Sequence, residues 1–296
     1  MSAHASLPQA ANLSRDEKRE RFRLFGLSLP ALTLVVFVLV IPVGWLFGLS
    51  FLSDSGEFSL EHYRRLASQA SYARIFRTTF EVSLITTGLC IILGYPLAYL
   101  LAQMPRRLAA ICMMAVLLPF WTSVLVRTYA WLALLQRQGV INTWGMEAGL
   151  WSEPLPLVHN LTGTLIGMTH IMQPYLILPL YGSMKAINSD YLKAAANLGA
   201  SPIRAFWSVY LPLSLPGLIA GSTIVFILCL GFYVTPALLG GGKIILVSMR
   251  IATDIEMFFN WGAASALGVV LLVLTVGLLY LASRIAGLDR LTGGTK

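Results

Sequence analysis

The sequence predicts an all-α fold, a polytopic membrane bundle of about six transmembrane helices. Composition is the first observation that predicts it: of 296 residues, 57% are hydrophobic and 11% are charged, and the mean hydropathy is +0.74. A soluble domain carries about 25% charged residues, so this chain has too few charges for a surface that faces water. The second observation is a series of six long apolar runs, each near the length of about 20 residues that a helix needs to cross a bilayer.

The six runs divide the chain. Residues 1–23 are dense in charge and are predicted to be a cytoplasmic arm, residues 24–286 are the predicted transmembrane domain, and residues 287–296 are a predicted cytoplasmic tail. The predicted spans are Leu24–Phe51, Thr79–Gln103, Leu108–Leu135, Leu161–Tyr181, Leu213–Leu239 and Ala263–Ile285.

The basic residues outside these runs predict the orientation, because cytoplasmic segments are enriched in Lys and Arg. With the N-terminus inside, thirteen of the 21 Lys and Arg residues lie in inner segments and seven in outer segments, while Arg127 lies within a run. Both termini are therefore predicted to be cytoplasmic. Basic loops explain the net charge of +8, and the lack of a basic face with interleaved aromatic residues speaks against a nucleic-acid partner.

The inner loop between spans four and five, residues 189–212, is more than a plain connector. Asp190 is the expected N-cap, and the residues from Leu192 to Leu198 favour a helix. Gly199 stands where that helix would end, and Pro202 would begin a second short helix. We expect a helix, a turn and a second helix that lie on the cytoplasmic surface.

This loop resembles the coupling loop of the binding-protein-dependent permeases of ATP-driven importers. The family pattern is Glu-Ala-Ala, three residues, Gly, nine residues, Ile, one residue and Leu-Pro. At those positions this sequence has Lys193, Ala194, Ala195, Gly199, Val209, Leu211 and Pro212. Lys193 inverts the charge of the usual Glu, and Val209 is a mild change. The resemblance implies a coupling helix that docks into a cleft on the ATPase subunit, and its implied contacts are Lys193, Ala194, Ala195, Gly199, Ala200 and Ser201.

Three further segments, Leu118–Asn142, Gly231–Lys243 and Leu93–Ala98, are similar to the spermidine/putrescine branch of that family. The resemblance implies a multi-pass protein of the bacterial inner membrane. It also implies four kinds of partner: a second permease subunit in a heterodimer, two ATPase subunits, a periplasmic solute-binding protein and the lipid bilayer.

The sequence lacks the signatures of an enzyme. It has no G-x-x-x-x-G-K-[ST] loop, so ATP hydrolysis is expected in a separate ATPase subunit. No His or Cys spacing indicates a metal site, and no cofactor is expected. Cys90, Cys112 and Cys229 are far apart within apolar runs and are predicted to be free thiols.

Two ionisable residues lie in predicted spans, where a charge is costly and normally faces a bundle interior or a cavity. Glu81, near the outer end of span two, either attracts a cationic solute or pairs with Arg127 of span three. For Arg127 the structural role is favoured over a role in the solute path. Aromatic rings hold ammonium groups by cation–π contact, which makes Tyr129, Phe232 and Tyr233 the candidate aromatic residues of that path.

The predicted function is therefore a permease subunit that forms half of the path for a small, cationic solute such as a polyamine. Another small amine, an amino-acid derivative or an aminophosphonate stays open as the solute. A self-sufficient secondary transporter is the alternative class, which an inverted internal repeat would favour.

Overall fold

A computed structural model of the protein describes residue 26 and residues 28–53 and 56–285. The predicted arm, 1–23, and the predicted tail, 287–296, lie outside these residues. Within them the chain is helical, apart from loops and one isolated β-bridge, which confirms the all-α membrane bundle. The helices are α1 (Ser28–Leu49), α2 (Glu61–Ser68), α3 (Ala70–Gln103), α4 (Arg106–Leu117), α5 (Val124–Leu135), α6 (Val140–Glu147), α7 (Leu161–Lys185), α8 (Ser189–Asn197), α9 (Pro202–Leu230), α10 (Val234–Leu239), α11 (Val247–Glu256) and α12 (Trp261–Ile285).

Four helices, α1, α3, α9 and α12, are long and apolar enough to cross a membrane, and the bent segment from α4 to α6 supplies a fifth candidate. Helix α7 has 25 residues, about 37 Å at 1.5 Å per residue, but it is more polar than the others. Predicted spans two, four and six correspond to α3, α7 and α12, although α3 begins at Ala70 rather than at Thr79.

Helices α3, α7 and α9 pack against one another and form the core of the bundle. Val82 and Cys90 of α3 are buried against Met168 and Leu176 of α7 and against Val225 of α9. The central position of α7 explains its polar composition, because polar side chains in a membrane helix are tolerated where they face other helices or a cavity rather than lipid.

Small residues allow α9 to approach α7 closely. A Cβ at Gly217 would lie 2.3 Å from the Cβ of Ser183, and a Cβ at Gly221 would lie 2.9 Å from the carbonyl oxygen of Leu176. Helices in lipid associate largely through such close van der Waals packing, which glycine permits. The two helices are therefore fitted to each other along one face.

The predicted span Leu108–Leu135 is not one continuous helix. Helices α4 and α5 are separated by a 3₁₀ turn over Leu118–Trp121, and the helical segments on either side differ in direction by 100°. Pro119 lies in the first residues of this turn, and Thr122 and Ser123 then adopt extended backbone conformations that interrupt helical hydrogen bonding. The apolar run is continuous, but its backbone is not.

Span five and the second helix of the inner loop are one element, which corrects two predictions. The helix runs without interruption from Pro202 to Leu230, so its first residues do not form a separate surface helix, and it ends before the predicted Leu239. A π-helical turn over Phe206–Tyr210 precedes Pro212. Proline lacks an N–H and its ring displaces a preceding carbonyl, and a π-helical turn accommodates both effects without ending the helix.

Helices α10 and α11 follow the end of α9. The backbone N–H of Val247 donates to Oγ1 of Thr79 (3.0 Å), which ties the start of α11 to α3. Asp254 of α11 is buried and forms an ion pair with Arg250 (2.8 Å). Burial raises the pKa of the Asp254 carboxyl, and the guanidinium of Arg250 acts in the opposite direction. This carboxylate is therefore engaged within its own helix.

Candidate functional site

Local capping signals build the loop between α7 and α9. The side-chain oxygen of Asn188 accepts from the backbone N–H of Asp190 (3.0 Å), so Asn188 is the N-cap and the prediction of Asp190 is wrong. Asp190 already lies in the first helical turn of α8. Gly199 ends this helix with a φ of +82°, as predicted, and the hydroxyl of Ser201 accepts from the N–H of Arg204 (3.4 Å) at the start of α9.

The loop presents apolar side chains to its surroundings. Leu198 is 88% exposed, Ile203 is 74% exposed and Trp207 is 63% exposed. Lys193 forms an ion pair with Asp190 (2.9 Å) at the surface, and such an exposed pair contributes little to stability. Lys193 can therefore exchange this partner for another. Of the predicted coupling residues, Lys193, Ala194, Gly199 and Ser201 are exposed, and Ala195 and Ala200 are half-buried.

An aromatic cluster joins this loop to the bundle. The ring of Phe206 packs edge-on against Tyr95 (6.1 Å between centroids) and Tyr99 (5.6 Å), and Tyr99 packs edge-on against Tyr210 (5.1 Å). Edge-to-face pairs at these distances are favourable beyond their buried area. The start of α9 is therefore held against α3 on the side of the bundle that carries the loop.

The hypothesis that Glu81 pairs with Arg127 is wrong. Oε1 of Glu81 lies 2.7 Å from Nε of Arg77, one turn away on α3, and both side chains are exposed. Arg127 is half-buried, and its Nε is enclosed without a hydrogen-bond partner among the described residues. A pairing within one helix was available to Glu81 at a spacing of four residues, and it prevails over a partner on another helix.

The aromatic candidates lie on two neighbouring segments. Helix α5 packs against α10, and the hydroxyls of Thr128 and Thr235 are 3.0 Å apart. Tyr129 of α5 and Tyr233, just before α10, are both exposed, whereas Phe232 is half-buried and packs against the core. The structure therefore places these residues on adjacent elements rather than at opposite ends of the bundle.

A cleft that the sequence did not predict lies between α3, α5 and α7. Its volume is about 480 Å³. Its lining combines aliphatic residues of α3 and α7 with Trp131, Thr162, Thr169, His170 and Gln173. The ring of Trp131 packs edge-on against His170 at 5.5 Å. Thr169 Oγ1, His170 Nδ1 and Gln173 Oε1 are all enclosed and without a hydrogen-bond partner in the described part of the chain. Unsatisfied polar atoms in a membrane interior are costly, and these three lie beside the cleft, each enclosed by packing rather than open to it.

Two curated proteins and one solved structure show what this chain is similar to. The spermidine/putrescine transport system permease protein PotB of Haemophilus influenzae is 31% identical over 252 residues, which cover 83% of this chain and 88% of that protein. PotB of Escherichia coli K12 is 30% identical over 256 residues, with 84% and 91% covered. A chain of a bacterial ABC transporter involved in the import of the acidic polysaccharide alginate superposes with a TM-score of 0.70 at 17% identity, over 95% of this chain and 100% of that one, and so shares its fold.

A family model matches the part of the chain that contains the candidate site. Residues 91–285, about two thirds of the chain, match the binding-protein-dependent transport system inner membrane component family. This region contains the polar positions of α7, the inner loop, and helices α9 to α12. The chain belongs to this family of inner membrane components, and it is a multi-pass permease subunit of an ATP-driven importer.

Proposed function

We propose that this permease subunit forms half of the path for a polyamine, a solute whose ammonium groups are joined by short methylene chains. The observation that carries the proposal is the cleft between α3, α5 and α7, whose lining includes the indole ring of Trp131 and the neutral polar residues Thr169, His170 and Gln173. The names of the two PotB relatives, which specify spermidine and putrescine, support the same class of solute.

Neutral acceptors and an aromatic face suit a passing ammonium group. The hydroxyl of Thr169 and the amide oxygen of Gln173 can accept an N–H, as can Nδ1 of His170 in the tautomer with the proton on Nε2. Trp131 offers the aromatic face, whose cation–π attraction is worth about 2 kcal/mol for a desolvated cation. None of these groups is charged in that state, so they can hold the solute weakly enough to release it.

Other residues extend this path. Glu81, near the outer part of α3, attracts cations toward the cleft, since its ion pair with Arg77 is exposed and exchangeable. Tyr129, Phe232 and Tyr233 supply further aromatic faces on α5 and before α10. Arg127 is the exception in this set because it carries the same charge as the solute.

The energy for transport comes from ATP hydrolysis by separate ATPase subunits. The exposed loop between α7 and α9 docks on an ATPase subunit, and two such subunits hydrolyse ATP beneath a pair of different permease subunits, which receive solute from a periplasmic binding protein. Docking uses Lys193, Ala194, Ala195, Gly199, Ala200 and Ser201. Because Lys193 stands where the family usually has Glu, the facing surface of the ATPase should carry a carboxylate or the C-terminus of a helix.

Orientation follows from the excess of basic residues in the inner segments. Both termini face the cytoplasm, with the arm, 1–23, and the tail, 287–296, on the same side as the docking loop. The transmembrane domain between them, 24–286, is one unit of the importer.

The experiment compares Trp131→Leu with Trp144→Leu in the complete complex, reconstituted in liposomes with its binding protein. Trp144 is an exposed residue of α6 and serves as the matched control. We expect Trp131→Leu to lower ATP-driven uptake of labelled spermidine by about thirtyfold, which corresponds to the loss of one desolvated cation–π contact of about 2 kcal/mol. We expect the control to retain uptake. Parental uptake in Trp131→Leu would contradict the cleft as the solute path.

Competition on the parental complex tests the solute class. Unlabelled putrescine should compete with spermidine, whereas an amino-acid derivative or an aminophosphonate should not. Competition by an aminophosphonate alone would identify a different solute, and uptake without the ATPase subunit or ATP would identify a secondary transporter.

A further inference from the structure

Helix α9 is irregular between its first turn and its membrane-spanning part. The backbone N–H of Leu211 donates to the carbonyl of Phe206, five residues back, which makes 206–210 a π-helical turn. Pro212 and Pro216 then have no N–H to donate to the carbonyl groups one turn before them. Helices bend where a π-helical turn or a proline interrupts their regular hydrogen bonds, so this segment is the point at which α9 bends most easily.

One side chain of α3 contacts α9 at both ends of this segment. The ring of Tyr95 packs edge-on against Phe206, the first residue of the π-helical turn, with 6.1 Å between centroids and 89° between the ring planes. The hydroxyl oxygen of Tyr95 lies 2.9 Å from Oγ of Ser214, which follows both the turn and Pro212. Tyr95 therefore bridges the irregular segment from its start to beyond Pro212.

The direction of this hydrogen bond follows from the other contact of Ser214. A hydroxyl group has one proton to donate, and the hydroxyl of Ser214 donates it to the carbonyl of Leu211 (2.9 Å). The hydroxyl of Tyr95 is therefore the donor and Ser214 Oγ is the acceptor. Ser214 is fully buried, and away from water a hydrogen bond between side chains is electrostatically stronger.

We propose that Tyr95 is a positioning residue that keeps α9 from bending at its π-helical turn. A displacement of the docking loop then moves the membrane-spanning part of α9 as well as its first turn. Without the bond between Tyr95 and Ser214, the first turn can follow the loop while the part beyond Pro212 stays in place. The step from the loop to the solute path rests on the proposed function.

The test uses the complete complex with its binding protein in liposomes and measures the amount of spermidine taken up per ATP hydrolysed. Tyr95→Phe removes the donor hydroxyl and keeps the ring, and Ser214→Ala removes the acceptor. Tyr99→Phe is the matched control, because the Tyr99 ring also packs against Phe206 (5.6 Å) but its hydroxyl forms no hydrogen bond in the described part of the chain. We expect this ratio to fall about two- to tenfold in Tyr95→Phe and in Ser214→Ala, the effect of one hydrogen bond, and to stay parental in Tyr99→Phe.

A second measurement does not depend on the solute. Backbone hydrogen exchange over residues 206–215 of the assembled complex should be about two- to tenfold faster in Tyr95→Phe than in the parental chain or in Tyr99→Phe, because bending opens the hydrogen bonds of the turn. The double variant Tyr95→Phe with Ser214→Ala should show no larger effect than either single variant, since both remove the same bond.

A parental ratio or parental exchange in Tyr95→Phe would overturn the inference, and so would an equal change in Tyr99→Phe. Less assembled complex with an unchanged ratio would also overturn it, because Tyr95 would then serve folding alone. If the parental complex takes up no spermidine, the proposed function fails, while hydrogen exchange still decides whether Tyr95 holds the turn.

Discussion

The turn at Gly199 gives the sharpest test of the docking loop. Its φ of +82° lies in a region that costs an L-residue about 1–2 kcal/mol, and a Cβ there would meet no atom within 4 Å. Gly199→Ala therefore adds conformational strain without a steric clash inside the chain. Since 1.4 kcal/mol corresponds to a factor of about ten, this strain lowers the population of the turn by about five- to thirtyfold.

We expect the apparent affinity of the ATPase subunit for the permease pair to fall by the same factor, because a loop that adopts its docking conformation only part of the time binds in proportion. Gly199→Asp separates strain from contact: Asp accepts the left-handed conformation better than Ala, but it adds a charge to an exposed surface. The measurements are recovery of the ATPase as a function of its concentration and solute-stimulated ATP hydrolysis. The control is Gly268→Ala in α12, where a Cβ also meets nothing within 4 Å. Parental docking and stimulation in both Gly199 variants would refute the assignment of this loop to coupling.

Three further predictions concern orientation, the solute path and packing. Reporter fusions after Gly199 should read as cytoplasmic and fusions near Glu147 as external, and an external signal after Gly199 would contradict the orientation. Glu81→Gln should lower polyamine uptake while the complex still copurifies, because the carboxylate pairs only with an arginine of its own helix; unchanged uptake would remove it from the path. Gly217→Ala should lower the free energy of unfolding by about 1–3 kcal/mol, measured as a lower thermal midpoint than that of Gly268→Ala, and equal midpoints would contradict the close approach of α9 to α7.

The apolar runs were sufficient to locate most membrane helices, since a bilayer demands both length and hydrophobicity from each helix. The run Leu161–Tyr181, which lies within α7, is predicted in spite of its Thr, His and Gln residues. Gly199 was also sufficient to locate the turn in the inner loop, because many helices end at a glycine in the left-handed backbone conformation. These features depend on local sequence, which is why they could be read without a structure.

Backbone breaks within an apolar run were harder to predict. Hydropathy does not distinguish Thr122 and Ser123 from other small polar residues that membrane helices accept, and proline, present here as Pro119, is common in membrane helices, so neither predicted the 100° bend. The opposite error occurred after Pro202, where a short loop helix and a separate span from Leu213 are predicted, whereas one helix runs past Pro212 through a π-helical turn over Phe206–Tyr210. Proline indicates that a helix must adjust, but neighbouring elements decide whether it bends, ends or changes its hydrogen bonding.

The cleft could not be predicted by testing the polar residues of α7 only for the spacing of metal ligands. His170 was considered only for metal-ligand spacing, where it has no partner. Polar residues at positions 169, 170 and 173 of one membrane helix are a signal in themselves, since each is costly in lipid unless it faces a cavity or another helix. Only the packing of α3 and α5 around α7 shows that a cleft lies beside these three residues.

A continuous set of packed elements connects the docking loop to this cleft. Helix α9 has 29 residues, about 43 Å at 1.5 Å per residue, and it begins three residues after Gly199. Its first turns are held to α3 by the rings around Tyr99, and the contacts of Gly217 with α7 leave no space for the two helices to slide independently. Helix α7 carries His170, so if the ATPase displaces the loop, as proposed, one wall of the cleft moves relative to α5. Because the second helix of the loop and span five are one element, motion of the loop needs no separate linkage to reach the proposed solute path.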